Sequence, residues 1–283
     1  MGKYFDPYTD FGFKKLFREE ANKNLLIDFL NTLLPEKHHI QTLTFDDPEH
    51  LGPAASDRRA VFDIFCKGQN DEHFIVEMQK TEQKYFVDRS IYNTAHHIRQ
   101  QGQRGKSWDY RLAPVYFIGI LDFVFEKDVT PTLIHNVSLK DQGGTEFYDK
   151  LRYIYLQMPV FDKKESELVT HQDKWFYFLE NLEDLNQIPS ILGEEVFQQA
   201  FHTAELASMS EKDRYRYEKE LDDYRVQASI LQKAGDDGEA KGAAKGEVRK
   251  AIEIARNMKM KGLEPALIAE MTGLPLKEIK QLK

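Results

Sequence analysis

The chain is short of cysteine and has no long apolar run. Its 283 residues include a single cysteine, Cys66, which excludes an internal disulfide and a cysteine-rich zinc knuckle. No apolar stretch approaches the roughly 18–20 residues that a membrane-spanning helix requires. The first residues also lack the apolar segment of a signal peptide. We therefore expect a cytoplasmic protein that does not contact membranes.

Charge is unevenly distributed along the chain, whose formal net charge is −8. Residues 241–283 carry ten Lys or Arg against five acidic residues, whereas the remainder carries 29 against 42. A basic tail on an acidic body is typical of proteins whose tail contacts nucleic acid, although solvated helices also carry such an excess. No glycine-rich phosphate loop and no Ser/His/Asp arrangement stands out in the sequence.

Two segments separated by a turn-forming sequence predict a β-hairpin. Residues 60–66 and 73–80 each alternate in the way a strand does, and the residues between them have a turn composition. Asp63 and Glu77 stand where apolar residues would be expected. If the turn is centred on Asn70, the two acids face each other with Cβ atoms roughly 4.5–5.5 Å apart, which is destabilising for like charges.

Both faces of this hairpin are apolar. Phe65 and Ile75 share the face of the two acids, while Phe74 and Val76 occupy the other. A charge on a strand that is covered on both sides is rarely buried unless it is paired or bound to metal. This pattern favours a cation between the two acids. The alternative is a hairpin edge whose acids are simply hydrated.

The order of predicted elements indicates a mixed α/β sandwich. A first helix through Phe17 is followed by a strand at 40–45, the hairpin, a helix at 85–103 and an apolar strand at 114–124. Further strands and helices follow over residues 126–233. We therefore expect one domain over residues 1–233, with a core at about 4–125 and an α/β extension over 126–233.

The C-terminal part of the chain has three differing segments. The helix predicted at 211–233 carries apolar residues at alternating spacings of four and three, which could pack on the body or form a homo-oligomer. Residues 234–247 place glycines among Ala, Lys and Glu, a composition typical of a pliant linker. Residues 248–283 contain short predicted helices joined by a glycine turn. They fit either a helix-turn-helix or a helical cap or dimerisation hairpin.

The hairpin resembles the metal site of the PD-(D/E)xK nuclease superfamily, in which an Asp on one core strand and a Glu-x-Lys on the next bind divalent metal. A more specific resemblance is to the Rpn family of recombination-promoting nucleases, also described as transposases. It covers about residues 4–125 and rests on residues 9–17, 59–64 and 76–79, on Arg89 and Tyr92, and on the apolar strand 115–121. The resemblance implies a restriction-endonuclease-like mixed sheet flanked by helices, with a C-terminal helical extension.

The resemblance also implies site residues. Asp63 and Glu77 match metal ligands, and Gln79 occupies the position of the superfamily lysine. Asp10 aligns with the acid that the first helix often supplies, although a helix N-cap would look the same. The backbone carbonyl of Met78 is a candidate third ligand. Mg²⁺, held by one or two carboxylates with several waters and substrate phosphate, suits this set, and Mn²⁺ could replace it.

The function implied is a Mg²⁺-dependent DNA endonuclease that hydrolyses phosphodiester bonds in recombination or mobile-element biology. A transposase in the strict sense would also require strand transfer. The alternative is a DNA-binding or assembly protein that keeps the nuclease fold with little or no catalysis. Gln79 favours that alternative, because an amide cannot supply the charge of a lysine.

Overall fold

The computed structural model describes residues 2–46, 49–50, 60–61, 63–102, 109–125 and 130–282. The chain forms two compact units, Met1–Glu220 and Leu221–Lys283. The domain boundaries expected from the sequence, at 233 and 247, stay a prediction.

A mixed six-stranded sheet forms the centre of the first unit. The strands of the two sheets are β1 (Leu43–Phe45), β2 (Glu49–His50), β3 (Ala60–Val61), β4 (Ile64–Gly68), β5 (His73–Gln79), β6 (Val115–Leu121), β7 (Ile134–Lys140) and β8 (Glu146–Gln157). The order in the six-stranded sheet is β1-β4-β5-β6-β8-β7, and β2 and β3 form a separate two-stranded sheet. Strands β5, β6 and β8 run parallel, whereas the outer pairs are antiparallel. With its flanking helices, this sheet confirms the predicted α/β fold class.

Eight α-helices are described alongside short 3₁₀ turns. They are α1 (Asp10–Phe17), α2 (Lys23–Asn31), α3 (Phe86–Gln100), α4 (His171–Asn181), α5 (Glu195–Ala204), α6 (Glu211–Met260), α7 (Pro265–Thr272) and α8 (Leu276–Gln281). Helix α1 begins after Thr9, whose hydroxyl accepts the N–H of Gly12 at 3.0 Å and caps the helix. Within the described ranges, no helix has the length and apolar character to cross a bilayer.

Apolar side chains cover both faces of the hairpin strands β4 and β5. On one face, Phe65 and Ile75 belong to a buried cluster that includes Phe86 of α3. On the other face, Phe74 and Val76 are completely buried. An ionised group on these strands is therefore held in a poorly solvated environment, where it requires a partner.

The strand predicted before the turn is divided in the structure. Ala60–Val61 pairs with β2, whereas β4 begins only at Ile64; Phe62 lies outside the described residues. Between them, a carboxylate oxygen of Asp63 accepts the backbone N–H of Met78 at 2.7 Å. A side chain thus takes the place that a backbone carbonyl would have in a continued ladder. The predicted hairpin is present, but its first strand begins only after Asp63.

The segment over residues 234–247 is helical, which corrects the expectation of a pliant linker in that segment. It lies within α6, and an added Cβ at Gly238 or Gly242 would meet no atom within 4 Å. The surrounding Ala, Lys and Glu are strong helix formers, and each glycine costs only about 1 kcal/mol relative to alanine. The glycines therefore weaken the helix without ending it.

The second unit is a small helical assembly made from the end of α6, α7 and α8. Gly273 ends α7 in the left-handed conformation, with φ of 68°, as is common after a helix C-terminus. The ammonium group of Lys259 donates to the carbonyls that end α8, at 3.0 Å to Ile279, 3.1 Å to Lys280 and 2.7 Å to Leu282. The buried centre consists of Ala255, Ile268, Leu274 and Ile279.

Replacing Gly238 and Gly242 by alanine should strengthen α6. The substitutions add no contact, so each should stabilise the local helix by about 0.5–1 kcal/mol through lower conformational entropy of the unfolded chain. Amide hydrogen exchange over residues 234–247 should slow in the double variant, and circular dichroism should show equal or higher helicity. Unprotected amides in both proteins, with unchanged ellipticity, would contradict a helix here.

Candidate active site

Two carboxylates meet at one end of the hairpin. The register Ile64↔Val76 brings the next residues, Asp63 and Glu77, beside each other. Together with Gln79 they line a cleft of about 900 Å³. The remaining lining comes from the segment after β5 and from α3: Met78, Gln83, Lys84, Tyr85, Asp88, Arg89, Tyr92 and Asn93.

Helix α3 supplies two hydrogen-bond donors to Glu77, which is only 4% exposed. The Nη2 atom of Arg89 lies 3.3 Å from Oε2 of Glu77, and Nδ2 of Asn93 lies 3.2 Å from Oε1. Arg89 and Asn93 are four residues apart and so share one face of the helix. Each carboxylate oxygen of Glu77 therefore has a fixed donor, which orients the group in the cleft.

Burial raises the pKa of both acids. The pKa of Asp63 rises to about 6, although the Met78 N–H opposes the shift. Burial raises the pKa of Glu77 to about 7; Arg89 opposes this rise, and the negative charge of Asp63 adds to it. Strongly shifted carboxyl groups in a cleft mark candidate functional sites. The pair holds an electrostatic cost that a bound cation would offset.

Arg89 brings a positive charge beside Gln79. The amide oxygen of Gln79 accepts Nη2 of Arg89 at 2.7 Å, and its Nε2 donates to the carbonyl of Thr81 at 3.0 Å. The other terminal nitrogen, Nη1, donates to Oε1 of Gln83. Sequence reasoning did not include Arg89 or Asn93 in the site. Arg89 had contributed only to the family resemblance, because its distance to Glu77 depends on how α3 crosses β5.

Asp10 and the backbone carbonyl of Met78 are the other two groups predicted for the site. Asp10 begins α1, forms an ion pair with Lys14 at 2.5 Å and lines a different groove. The negative charge of Asp10 raises the pKa of Asp63 and the positive charge of Lys14 lowers it, so both residues act on Asp63 electrostatically. The N–H and C=O of an extended residue point toward the same neighbouring strand. The Met78 carbonyl therefore lies on the side where its N–H bonds Asp63.

The donor set fits a hard divalent cation. Among the described residues, no group of three or more His, Cys, Asp or Glu side chains could hold a metal ion. Mg²⁺, however, is often held by only one or two carboxylates, with several waters and substrate phosphates completing its shell. Asp63 and Glu77 keep free lone pairs beyond their hydrogen bonds, and the Met78 carbonyl is a further oxygen donor. Such oxygen ligands suit Mg²⁺, Mn²⁺ or Ca²⁺.

Comparison with known families agrees with this geometry. Residues 7–234 match the family described as PD-(D/E)XK nuclease family transposase. The match spans most of the chain, and the protein belongs to this family. Residues 249–283 match a second family description, the Rpn/YhgA-like nuclease family, C-terminal HTH domain. Together the two matches confirm the resemblance to Rpn-family nucleases. Curated proteins and solved structures gave no significant match.

Glu77→Gln should make the metal-free protein less sensitive to pH. The folded pKa of Glu77 is raised to about 7 from an ordinary value of 4.5, so the folded state binds more protons than the unfolded state between these values. Stability therefore falls as pH rises through this window, and the cost is fully present above pH 7. Relative to pH 5, the variant at pH 8 in EDTA should therefore gain roughly 2 kcal/mol of stability over wild type.

The check is urea unfolding of both proteins at pH 5 and pH 8. Near pH 5 the difference should shrink strongly, because Glu77 is then mostly protonated in the folded protein. A difference between the two proteins that is the same at both pH values would contradict a charge effect at Glu77.

Proposed function

We propose that this protein is a divalent-metal-dependent DNA endonuclease that hydrolyses phosphodiester bonds, with a role in recombination or mobile-element biology. The main support is that Asp63 and Glu77, both with raised pKa values, line one cleft together with Arg89. The chain also belongs to a nuclease family. Two hard oxygen donors beside one fixed cation match the needs of phosphodiester hydrolysis better than those of a structural ion pair.

Asp63, Glu77 and the Met78 carbonyl would hold the metal. When bound, Mg²⁺ or Mn²⁺ supplies Lewis-acid polarisation of the phosphodiester and lowers the pKa of a coordinated water. The Met78 N–H holds Asp63 in place through its 2.7 Å hydrogen bond. Asn93 holds Glu77 from α3. Such fixed partners preserve ligand orientation, and their loss typically costs 10–100-fold in metal affinity or activity.

Arg89 takes the electrostatic role that the superfamily assigns to lysine. A guanidinium matches phosphate oxygens in a bidentate geometry. The amide oxygen of Gln79 accepts Nη2 of Arg89 at 2.7 Å. Gln79 has no charge of its own, but this hydrogen bond positions the positive charge of Arg89. A fixed cation beside the scissile phosphate stabilises the charge that develops in the transition state.

DNA is the proposed substrate and partner, bound in part by the C-terminal helix-turn-helix domain. In such motifs, the second helix enters the major groove while basic side chains contact phosphates. Helix α8 follows the glycine turn and carries the exposed Lys277 and Lys280. Homo-oligomer formation through residues 211–233 stays a prediction: in that stripe Tyr217 is buried, whereas Leu231 is 63% exposed.

The second candidate function is DNA binding or assembly without useful catalysis. The absence of the superfamily lysine at Gln79 favours it. The two functions differ in one observable, since only the nuclease converts supercoiled DNA to nicked or linear forms in the presence of a divalent metal.

Asp63→Asn and Glu77→Gln should each lower metal-dependent cleavage of supercoiled plasmid by about 100-fold or more. Each substitution keeps the side-chain shape and removes one anionic ligand. Asp122→Asn is a matched control, because the Asp122 pKa is also raised to about 6 by burial, yet its side chain does not line the cleft. Agarose gels with Mg²⁺, Mn²⁺ and Ca²⁺ measure the rates. Wild-type rates in the Asp63 and Glu77 variants would reject this site.

A charge exchange between Gln79 and Arg89 tests the role of the cation. Arg89→Gln should lower the cleavage rate by about 100-fold. Gln79→Lys alone should also lower it, because two cations then lie side by side. The double variant Gln79→Lys/Arg89→Gln restores a single positive charge. It should cleave at least about tenfold faster than Arg89→Gln. An Arg89→Gln protein with the wild-type rate, or a double variant worse than both singles, would contradict this role.

A further inference from the structure

Two exposed tyrosines line the cleft that contains the acid pair. Tyr85 stands at the N-cap of α3, and Tyr92 follows two helical turns later. Positions 85, 89 and 92 fall on one stripe of a helix, and all three residues line the cleft with Asp63 and Glu77. The stripe therefore alternates ring, cation and ring, with the two tyrosines about 10 Å apart along the helix axis.

The two rings are available to a ligand. Tyr85 is 67% exposed and Tyr92 is 57% exposed. A single exposed aromatic residue requires no explanation, but two in the same cleft as a pair of shifted carboxylates form a patch with a defined position. Tyrosine is favoured in binding surfaces because a rigid ring provides large contact area at low entropic cost.

Tyr85 also adopts an uncommon backbone conformation. Its φ of 79° and ψ of 25° are left-handed, a region that bulky residues rarely occupy. Its carbonyl accepts the N–H of Arg89 at 2.9 Å, and the ammonium group of Lys84 lies 5.1 Å from its ring centroid. Strained residues of this kind concentrate at ligand-binding sites. Glycine or asparagine would fit this backbone more easily, so a tyrosine here points to a use for its ring.

We propose that this cleft binds unpaired nucleotides, whose bases stack on Tyr92 and Tyr85 while Arg89 and Lys84 contact the adjoining phosphates. The inference rests on the proposed nuclease function and names its substrate class. Bases within a duplex are already stacked and paired, so they cannot offer a face to these rings. Aromatic rings interleaved with cations are the usual platform for single-stranded nucleic acid. The substrate would therefore be single-stranded DNA, or DNA that is locally unpaired at the scissile bond.

The test compares single-stranded and duplex DNA of one sequence on the full chain. Fluorescence anisotropy in EDTA gives affinities, and a 2-aminopurine base in the strand reports stacking by quenching. Tyr85→Ala and Tyr92→Ala should each weaken single-strand binding by about 5- to 150-fold. Each alanine variant should reduce the quenching of 2-aminopurine and change the affinity for duplex DNA by less than about twofold. Tyr85→Phe and Tyr92→Phe, which keep the ring, should restore both signals.

Tyr215→Ala is the matched control, because Tyr215 is 69% exposed but lies on α6 and does not line the cleft. Its single-strand affinity should equal that of wild type. Equal losses on single-stranded and duplex DNA in the Tyr85 and Tyr92 variants would assign the rings to backbone contact and overturn the inference. Unchanged single-strand affinity, or no single-strand binding by wild type, would overturn it as well.

The outcome is separable from that of the proposed nuclease function. Plasmid cleavage with ring-independent single-strand binding would refute the stacking site alone. Ring-dependent binding of the single strand in a protein that cleaves no DNA with any of the three metals would refute the nuclease and keep the binding site.

Discussion

Two like-charged groups on strands that are covered on both faces impose the main constraint on this molecule. Asp63 and Glu77 are drawn together by the β4–β5 register, and burial makes their ionisation costly. A sequence selected only for stability would replace them by apolar residues. The surrounding structure instead supplies hydrogen-bond donors that offset part of this cost and orient the two acids: the Met78 N–H for Asp63, and α3 for Glu77.

Helix α3 packs on the sheet and also supplies polar side chains to the cleft. Its buried side, including Phe86, packs on Phe65 and Ile75 of the hairpin, and this packing fixes the helix over β5. The neighbouring face then places Arg89 and Asn93 on Glu77 at hydrogen-bonding distance. The proposed catalysis would depend on such a rigid supporting core, because an error of about 1 Å in placing a group can cost 100-fold in rate.

Alternation along residues 60–66 and 73–80 was sufficient to predict the hairpin and the proximity of its two acids. The α/β class followed from the order of the predicted helices and strands. The alternation could not predict that β4 begins only after Asp63, because the Asp63 side chain accepts the N–H of Met78, which belongs to the other strand. Arg89 and Asn93 were missed as site residues for a similar reason: their role depends on how a separate helix packs on the sheet. The helical state of residues 234–247 was missed because glycine was weighted above the strong helix propensity of its neighbours.

The sequence does not indicate the left-handed backbone conformation of Tyr85, because tyrosine rarely adopts this conformation. The residues near Asp63 and Glu77 thus fall into two groups. Positions that follow from strand alternation could be predicted from the sequence. Positions that depend on tertiary packing or on backbone strain could not.

The central claim is that the acid pair is a divalent-cation site. Anomalous diffraction from crystals grown with Mn²⁺ tests it most directly, because the ion reveals its own position. The account predicts one anomalous peak within coordination distance, about 2.0–2.6 Å, of carboxylate oxygens from both Asp63 and Glu77, and loss of that peak in Glu77→Gln crystals. A fully occupied Mn²⁺ elsewhere in the chain, with no peak between the two acids, would contradict it.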